Sequence, residues 1–195
     1  MDLSPTAAVE PLGEPLGEPL ATSMGRVVRA AMGGDVRAFE QLISARIERT
    51  HRIAQAVLGS TLDAGDATQD AWLTAWRQLP RLRDPERFDA WLDRIVVNVC
   101  RMQARGRRRL REISMPDDFD RQAGGPGPDQ LAERHLLEVA FGRLDSDQRT
   151  ILVLHHLEQR PVADIAEVLQ IPVGTAKSRL HTARAALERA LEAER

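Results

Sequence analysis

The residues best equipped for chemistry in this chain are arginines and small polar groups set at helical spacing. Arg94, Asn98, Arg101 and Arg105 follow at steps of four, three and four, and Arg107, Arg108, Arg109 and Arg111 extend the series. On a helix such steps line up along one face. A row of guanidinium groups neutralises phosphates, and an amide among them can both donate to and accept from a base edge. A second polar stripe holds Asp63, Asp66, Asp70 and Arg77. Its acids suit a basic protein surface. A third set comprises Thr175, Ser178, His181, Thr182 and Ala185, flanked by Lys177, Arg179 and Arg184. Short hydroxyls and an imidazole reach base edges, and the cations take phosphates or guanine.

Other chemistries find little support. No Ser/His/Asp set, paired-acid site or phosphate-binding glycine loop has usable spacing. His155 and His156 are adjacent, so they point apart on a helix, and no third ligand stands near them in sequence. No metal, cofactor or catalytic residue is expected. Cys100 is the single cysteine, which excludes an internal disulfide framework, and its apolar neighbours give it a packing role. Trp72, Trp76 and Trp91 have the π-faces to stack on unpaired bases. Their helical spacing beside other apolar residues favours core packing instead.

Net charge is −2 over 195 residues, which alone argues against a nucleic-acid partner. The distribution reverses that inference. Residues 25–112 hold 17 arginines against 11 acids, net +6, whereas residues 1–24, 113–134 and 135–195 carry −4, −3 and −1. Positive charge is therefore concentrated in one segment. No apolar run is long enough for a membrane span, and the first 24 residues contain no Lys or Arg and no apolar stretch of the signal-peptide kind. These features predict a soluble cytoplasmic protein.

The elements that must position the polar stripes read as helices throughout. The repeat PLGEPLGEPL from Pro11 to Leu20 excludes helix and places a disordered tail over 1–23. Helical periodicity begins near Arg26, and Gly33-Gly34-Asp35 breaks it and supplies an N-cap. Val36, Phe39, Leu42, Ile43, Ile47, Ile53, Ala54 and Val57 keep helical spacing until Gly59. Asp63 is expected to cap the next helix, whose core side is Ala71, Trp72, Ala75, Trp76 and Leu79. Pro80 closes it, and Pro85 restarts a helix that buries Phe88, Trp91, Leu92, Ile95, Val96, Val99 and Met102. Residues 112–130 are rich in Pro, Gly and Asp and read as a linker. Beyond it, Leu131, Leu137, Ala140, Phe141 and Leu144 open a second unit. Asp145 and Gln148 form a capping-box pattern before Ile151, Leu152, Leu154 and Leu157. Residues 161–187 then give a short helix, a break at Ile171-Pro172 and a second helix, a helix-turn-helix pattern. Ile165, Ala166, Leu169, Ala176, Leu180, Ala183 and Leu187 form its buried side. The expected fold is all-α: two small helical domains joined by a flexible acidic linker, the C-terminal one a helix-turn-helix four-helix unit. The domain limits are 24–111 and 131–190.

Three segments together resemble the extracytoplasmic-function (ECF) subfamily of bacterial RNA polymerase sigma factors. DAGDATQDAWLTAWRQL (63–79) is similar to the family's core-polymerase-binding helix. FDAWLDRIVVNVCRMQARGRRR (88–109) is similar to its −10 promoter helix, and PVADIAEVLQIPVGTAKSRLHTARAAL (161–187) to its −35 helix-turn-helix. The resemblance spans about residues 26–190 in the family's order. It implies that Asp66, Gln69 and Asp70 dock on the clamp helices of the polymerase largest subunit. Arg81, Arg83 and Arg87 would belong to the loop that captures a flipped −10 base, a step whose cost a pocket must offset. Asn98 would read a base, while Arg94, Arg101, Arg105, Arg108 and Arg109 track the backbone. Thr175, Lys177, Ser178, Arg179, His181, Thr182 and Arg184 would read the −35 element. His181 and Thr182 depart from the aromatic and arginine common in relatives, so the −35 sequence read here would differ. The acidic linker, with Asp117, Asp118 and Asp120, would thread the polymerase toward the RNA exit path. The implied partners are core RNA polymerase (its clamp helices and the flap of the second-largest subunit), promoter DNA and an anti-sigma factor.

Two other functions fit parts of the pattern. A sigma mimic would titrate an anti-sigma factor without touching DNA, but the intact arginine face and polar recognition helix weigh against it. An independent helix-turn-helix regulator would need a more basic C-terminal unit, since affinity for DNA comes largely from phosphate neutralisation.

Overall fold

The computed structural model describes residues 20–111 and 128–194, with side chains over 23–107 and 135–194. Among these residues the structure is all-α, with eight helices. Four belong to the first unit: α1 (Leu20–Met32), α2 (Val36–Leu58), α3 (Thr61–Gln78) and α4 (Phe88–Arg111). Four belong to the second: α5 (Pro128–Gly142), α6 (Ser146–Leu152), α7 (Val162–Leu169) and α8 (Val173–Glu192). The greater part of the expected tail and linker lies outside the described residues. Helix α1 begins at Leu20, earlier than the Arg26 of the sequence pattern, and α5 begins at Pro128, inside the expected linker.

Helix ends follow their local chemistry. Asp35 accepts from the Ala38 amide at 3.1 Å and opens α2. Gly59 closes α2 in the left-handed region at φ 71°, where a Cβ would be strained. Asp63 does not cap α3, contrary to the sequence expectation. Ser60 takes that position, its hydroxyl accepting from the Asp63 amide at 3.4 Å. A chain leaving Gly59 turns within one residue, so the first available oxygen is the serine's. Asp145 and Gln148 do form the reciprocal capping box at α6 (2.7 and 3.1 Å). After Leu152 the helix widens into a π-turn over Val153–Leu157, with the Glu158 amide bonded to the Val153 carbonyl.

The core of the first unit is built around a column of small residues. Ala64, Ala67, Ala71 and Ala75 of α3 are fully buried, so α2 and α4 approach closely and bring Leu42, Ile53, Leu92 and Val96 together. Each large side chain enclosed this way contributes about 1.5–3 kcal/mol. Phe39 meets Trp72 edge-on at 5.7 Å and Trp76 at 4.7 Å. Several expected core residues lie at its rim: Val36, Ile47 and Trp76 are exposed, and Met102 is 66% exposed although Ala104, further along α4, still packs against the core. The second core gathers Leu144, Ile151, Leu154, Ile165, Leu169, Leu180 and Ala183.

The two units touch along α4. Val97 of α4 is fully buried in the second unit's core, and Val153 is buried in the first unit's core. Helix α4 therefore has three faces: one inside its own unit, one basic, and one turned to the other unit. Periodicity divides it into two.

Candidate nucleic-acid interface

Helix α4 is held from both sides. Arg46 of α2 forms a two-pronged pair with Asp89 in the first turn of α4, at 2.8 and 3.2 Å. Burial alone would raise the Asp89 carboxyl, but Arg46, with Arg49 and Arg160 nearby, holds it below the usual carboxylate range. At the other end Arg107 pairs with Asp63, and Gln103 donates to Asp70 at 3.4 Å. Asp63 is thus drawn inward toward α4 and leaves the outer acid stripe. Asp66, Gln69 and Asp70 remain on the exposed side of α3.

The basic face assembles largely as expected. Asn98 and Arg105 are exposed and Arg94 is half-buried. Arg105 donates to the Arg101 carbonyl at 3.2 Å, which turns its guanidinium back along the helix. The side chains of Arg108 and Arg109 lie outside the described residues. The lead-in loop is shaped by two 3-10 turns, Leu79–Arg81 and Pro85–Arg87, with Leu82 buried between them as an anchor and Asp84 accepting from the Glu86 amide at 3.0 Å. Arg81, Arg83 and Arg87 project from it. Two arginines of this set are already engaged by the second unit: Arg87 pairs with Glu167, and Arg101 Nε donates to Asp147 at 2.8 Å.

Beside the acid stripe lies a feature that hydropathy spacing did not predict. Ile43, Ile47, Trp72, Leu73 and Trp76 line an apolar groove between α2 and α3, with Gln69 on its wall. Ile47, Leu73 and Trp76 are exposed in it. This side of the first unit therefore combines carboxylates with a contiguous apolar strip.

In the second unit, α7 and α8 pack through Ile165, Leu169, Leu180 and Ala183, and Gln170 turns the chain between them at φ 55°. Lys177, Ser178, Arg179, His181 and Thr182 are exposed on α8. Thr175 is half-buried, its carbonyl accepting from the Ser178 hydroxyl at 3.0 Å. Arg184 donates to His156 at 3.3 Å and so is turned toward the end of α6. A helix presenting these groups beside a tight turn has the form that enters a major groove.

Two family matches fall one on each unit. The Sigma-70 region 2 family matches residues 42–110, and the Sigma-70, region 4 family matches residues 134–187. The ECF RNA polymerase sigma factor SigM of Mycobacterium tuberculosis is 33% identical over 172 residues, covering 87% of this chain and 85% of that protein. The chain belongs to the ECF sigma factors. SigE of Mycolicibacterium smegmatis, another ECF sigma factor, is 30% identical over 181 residues, covering 90% of this chain and 68% of that protein. Among solved structures, the sigma factor RpoE of Bartonella quintana, crystallised with the anti-sigma factor NepR, aligns with a TM-score of 0.67 at 25% identity, over 82% of this chain and all of that one. As an ECF sigma factor the protein binds core RNA polymerase and directs it to promoters.

Within this sigma factor the sequence reading missed one charged cluster, formed by Arg49, Asp93, Glu158 and Arg160. Its signal was present: Asp93 follows Leu92 and precedes Ile95, an acid among inward-facing positions of α4. Burial by itself would lower the Arg49 guanidinium, but Asp93 and Glu158 outweigh it and raise it, so this arginine stays charged. Cys100, also on α4, is fully buried, and burial pushes its thiol up to about 12. A thiol without thiolate is inert. The folded sigma factor is therefore expected to resist a disulfide-exchange reagent at pH 8 and to react stoichiometrically once unfolded in guanidinium. Rapid labelling of the native chain would contradict this.

Proposed function

We propose that the first unit, helices α1 to α4, docks on the clamp helices of the polymerase largest subunit through Asp66, Gln69 and Asp70. It opens the −10 element with α4 and its lead-in loop. Arg81, Arg83 and Arg87 line the path of an extruded base, Asn98 reads a base edge, and Arg94, Arg101, Arg105, Arg108 and Arg109 follow the backbone. The second unit, helices α5 to α8, lies at the flap of the second-largest subunit. It reads the −35 element through Thr175, Lys177, Ser178, Arg179, His181, Thr182 and Arg184. Residues between the units, with Asp117, Asp118 and Asp120, run toward the RNA exit path. The protein acts in the cytoplasm as a specificity subunit and carries no catalytic site of its own. No described helix is long and apolar enough to cross a membrane. An anti-sigma factor is its regulator, by analogy with the Bartonella quintana complex.

The observation that carries the −10 assignment is Asn98, exposed one helical turn from Arg94 on a face otherwise made of arginine. A paired base contact discriminates by about 1–3 kcal/mol, so Asn98→Ala is expected to reduce selectivity among −10 variants by about tenfold. Its affinity for core polymerase should be unchanged. Open-complex yields on a set of −10 substitutions measure this. A selectivity profile identical to that of the unmodified chain would sink the assignment. Gel shifts address the other readings: a sigma factor retards promoter DNA only with core polymerase, an independent regulator does so alone, and a mimic in neither case.

A further inference from the structure

Gly25 stands in the interior of α1, where glycine weakens a helix relative to alanine. Backbone freedom does not account for it, since the described glycines with positive φ are Gly34 and Gly59. Its surroundings do. Gly25 is buried, and a Cβ placed there would collide with Oε1 of Glu86 and lie 3.5 Å from the Arg29 guanidinium. At Gly65, Gly106, Gly142 and Gly174, which also stand in helices, the same atom would meet nothing within 4 Å.

Glu86 belongs to the loop that leads into α4. Its amide donates to the Asp84 carboxylate at 3.0 Å, and the next amide, of Arg87, donates to the Asp84 carbonyl at 3.1 Å. Its own carboxylate lies over Gly25, 3.8 Å from the Arg29 guanidinium. Both side chains of that pair are about half exposed, so the attraction is screened and weak. What the pair supplies is placement. Helix α1 packs on both 3-10 turns of the loop, and Val28, Leu79 and Leu82 share one core. Three residues beyond Glu86, Arg46 of α2 grips Asp89. The junction 86–89 is therefore held by two helices, α1 at Glu86 and α2 at Asp89, with Arg87 exposed between the two grips.

We propose that Gly25 is a positioning residue for promoter reading: with Arg29 beside it, it forms the seat for Glu86 that fixes the shape of the loop 82–87. The proposal rests on the reading of this loop as the site of −10 base capture. Gly25 acts through Glu86 and not by a contact to DNA. Extruding a base is costly, and a loop offsets that cost best when its pocket is formed in advance. Arg81, Arg83 and Arg87 extend from the backbone that the two turns define, so a shift at Glu86 moves the groups around it. Helix α1 carries none of the candidate promoter contacts, yet through this seat it acts on −10 selectivity.

The test uses the full chain. Gly25→Ala adds one methyl group to a helix that alanine favours. Glu86→Ala removes the carboxylate that the methyl would strike, and a double variant combines the two. Hydrogen exchange reports on the amides of Glu86 and Arg87. Open-complex yields with core polymerase on a set of −10 substitutions report selectivity, with Arg83→Ala as a control on the loop itself. Gly25→Ala is expected to speed exchange at both amides about tenfold. It should lower selectivity about fivefold, a part of what one base contact supplies. In the Glu86→Ala background the methyl should change neither, because its effect runs through a contact already removed. Unchanged exchange in Gly25→Ala overturns the seat, as does an equal response to the methyl in both backgrounds. Faster exchange with full selectivity, where Arg83→Ala loses it, overturns the positioning role. Failure of the base-capture reading would show separately, as an Arg83→Ala profile identical to that of the unmodified chain, and the positioning role would then fall with it whatever the exchange shows.

Discussion

Charge reversal at Asp66 and Asp70 together, each to arginine, is expected to abolish run-off transcription by weakening core-polymerase binding about a hundredfold or more. Both carboxylates stand on the exposed side of α3, away from the alanine column that packs the helix. Their replacement leaves the first core intact and gives up a long hydrogen bond, from Gln103 to Asp70 at 3.4 Å. The effect is therefore electrostatic: attraction to a basic surface becomes repulsion at short range. The apolar groove formed by Ile47, Leu73 and Trp76 does not compensate, because like charges at its edge oppose the approach that would fill it. Circular dichroism should be unchanged, and a native-gel binding assay with core enzyme measures the weakening. Undiminished core binding by the double variant would remove α3 from the docking surface.

The second large effect lies in the other unit. Ile165 is fully buried at the centre of α7, against α8. Truncation to alanine in such a site costs about 2–5 kcal/mol. The second unit has a small core, and domains of its size hold little stability in reserve. Ile165→Ala is expected to lower its melting temperature by about 10 °C or more. Transcription from promoters that depend on the −35 element should fall in parallel at growth temperature. Promoters with weak −35 dependence should lose less. Differential scanning calorimetry and run-off assays on the two promoter types check both statements. A melting temperature within a degree or two of the unmodified chain would show that α7 is not the element holding α8 in place.

The two effects separate what could be read from the chain and what could not. Helix type and order were legible because apolar spacing near 3.6 residues is a local property. Proline, glycine and capping residues marked most ends: Asp35 and Asp145 cap as their spacing predicts. The exception, Ser60 in place of Asp63, arose because a cap is chosen by backbone direction after Gly59, which spacing alone does not report. Exposed site candidates were legible for the same local reason. The outer residues of α3, α4 and α8 are polar at helical steps, and their family resemblance ran in the right order.

What the sequence determined by itself is an all-α chain with one acid-bearing helix, one arginine-faced helix and a helix-turn-helix, in the pattern of an ECF sigma factor. Only the tertiary structure decided how these faces stand to one another. Asp63 turned inward to Arg107, and an apolar groove formed beside Asp66 and Asp70. Asp93 and Val97 became a third face of α4, enclosed against the second unit. The physical reason is range. Periodicity and capping act over one or two helical turns, whereas Arg49 and Glu158 are partners across 109 residues. A pairing of that kind leaves no repeat in the sequence and exists only once the two cores have packed.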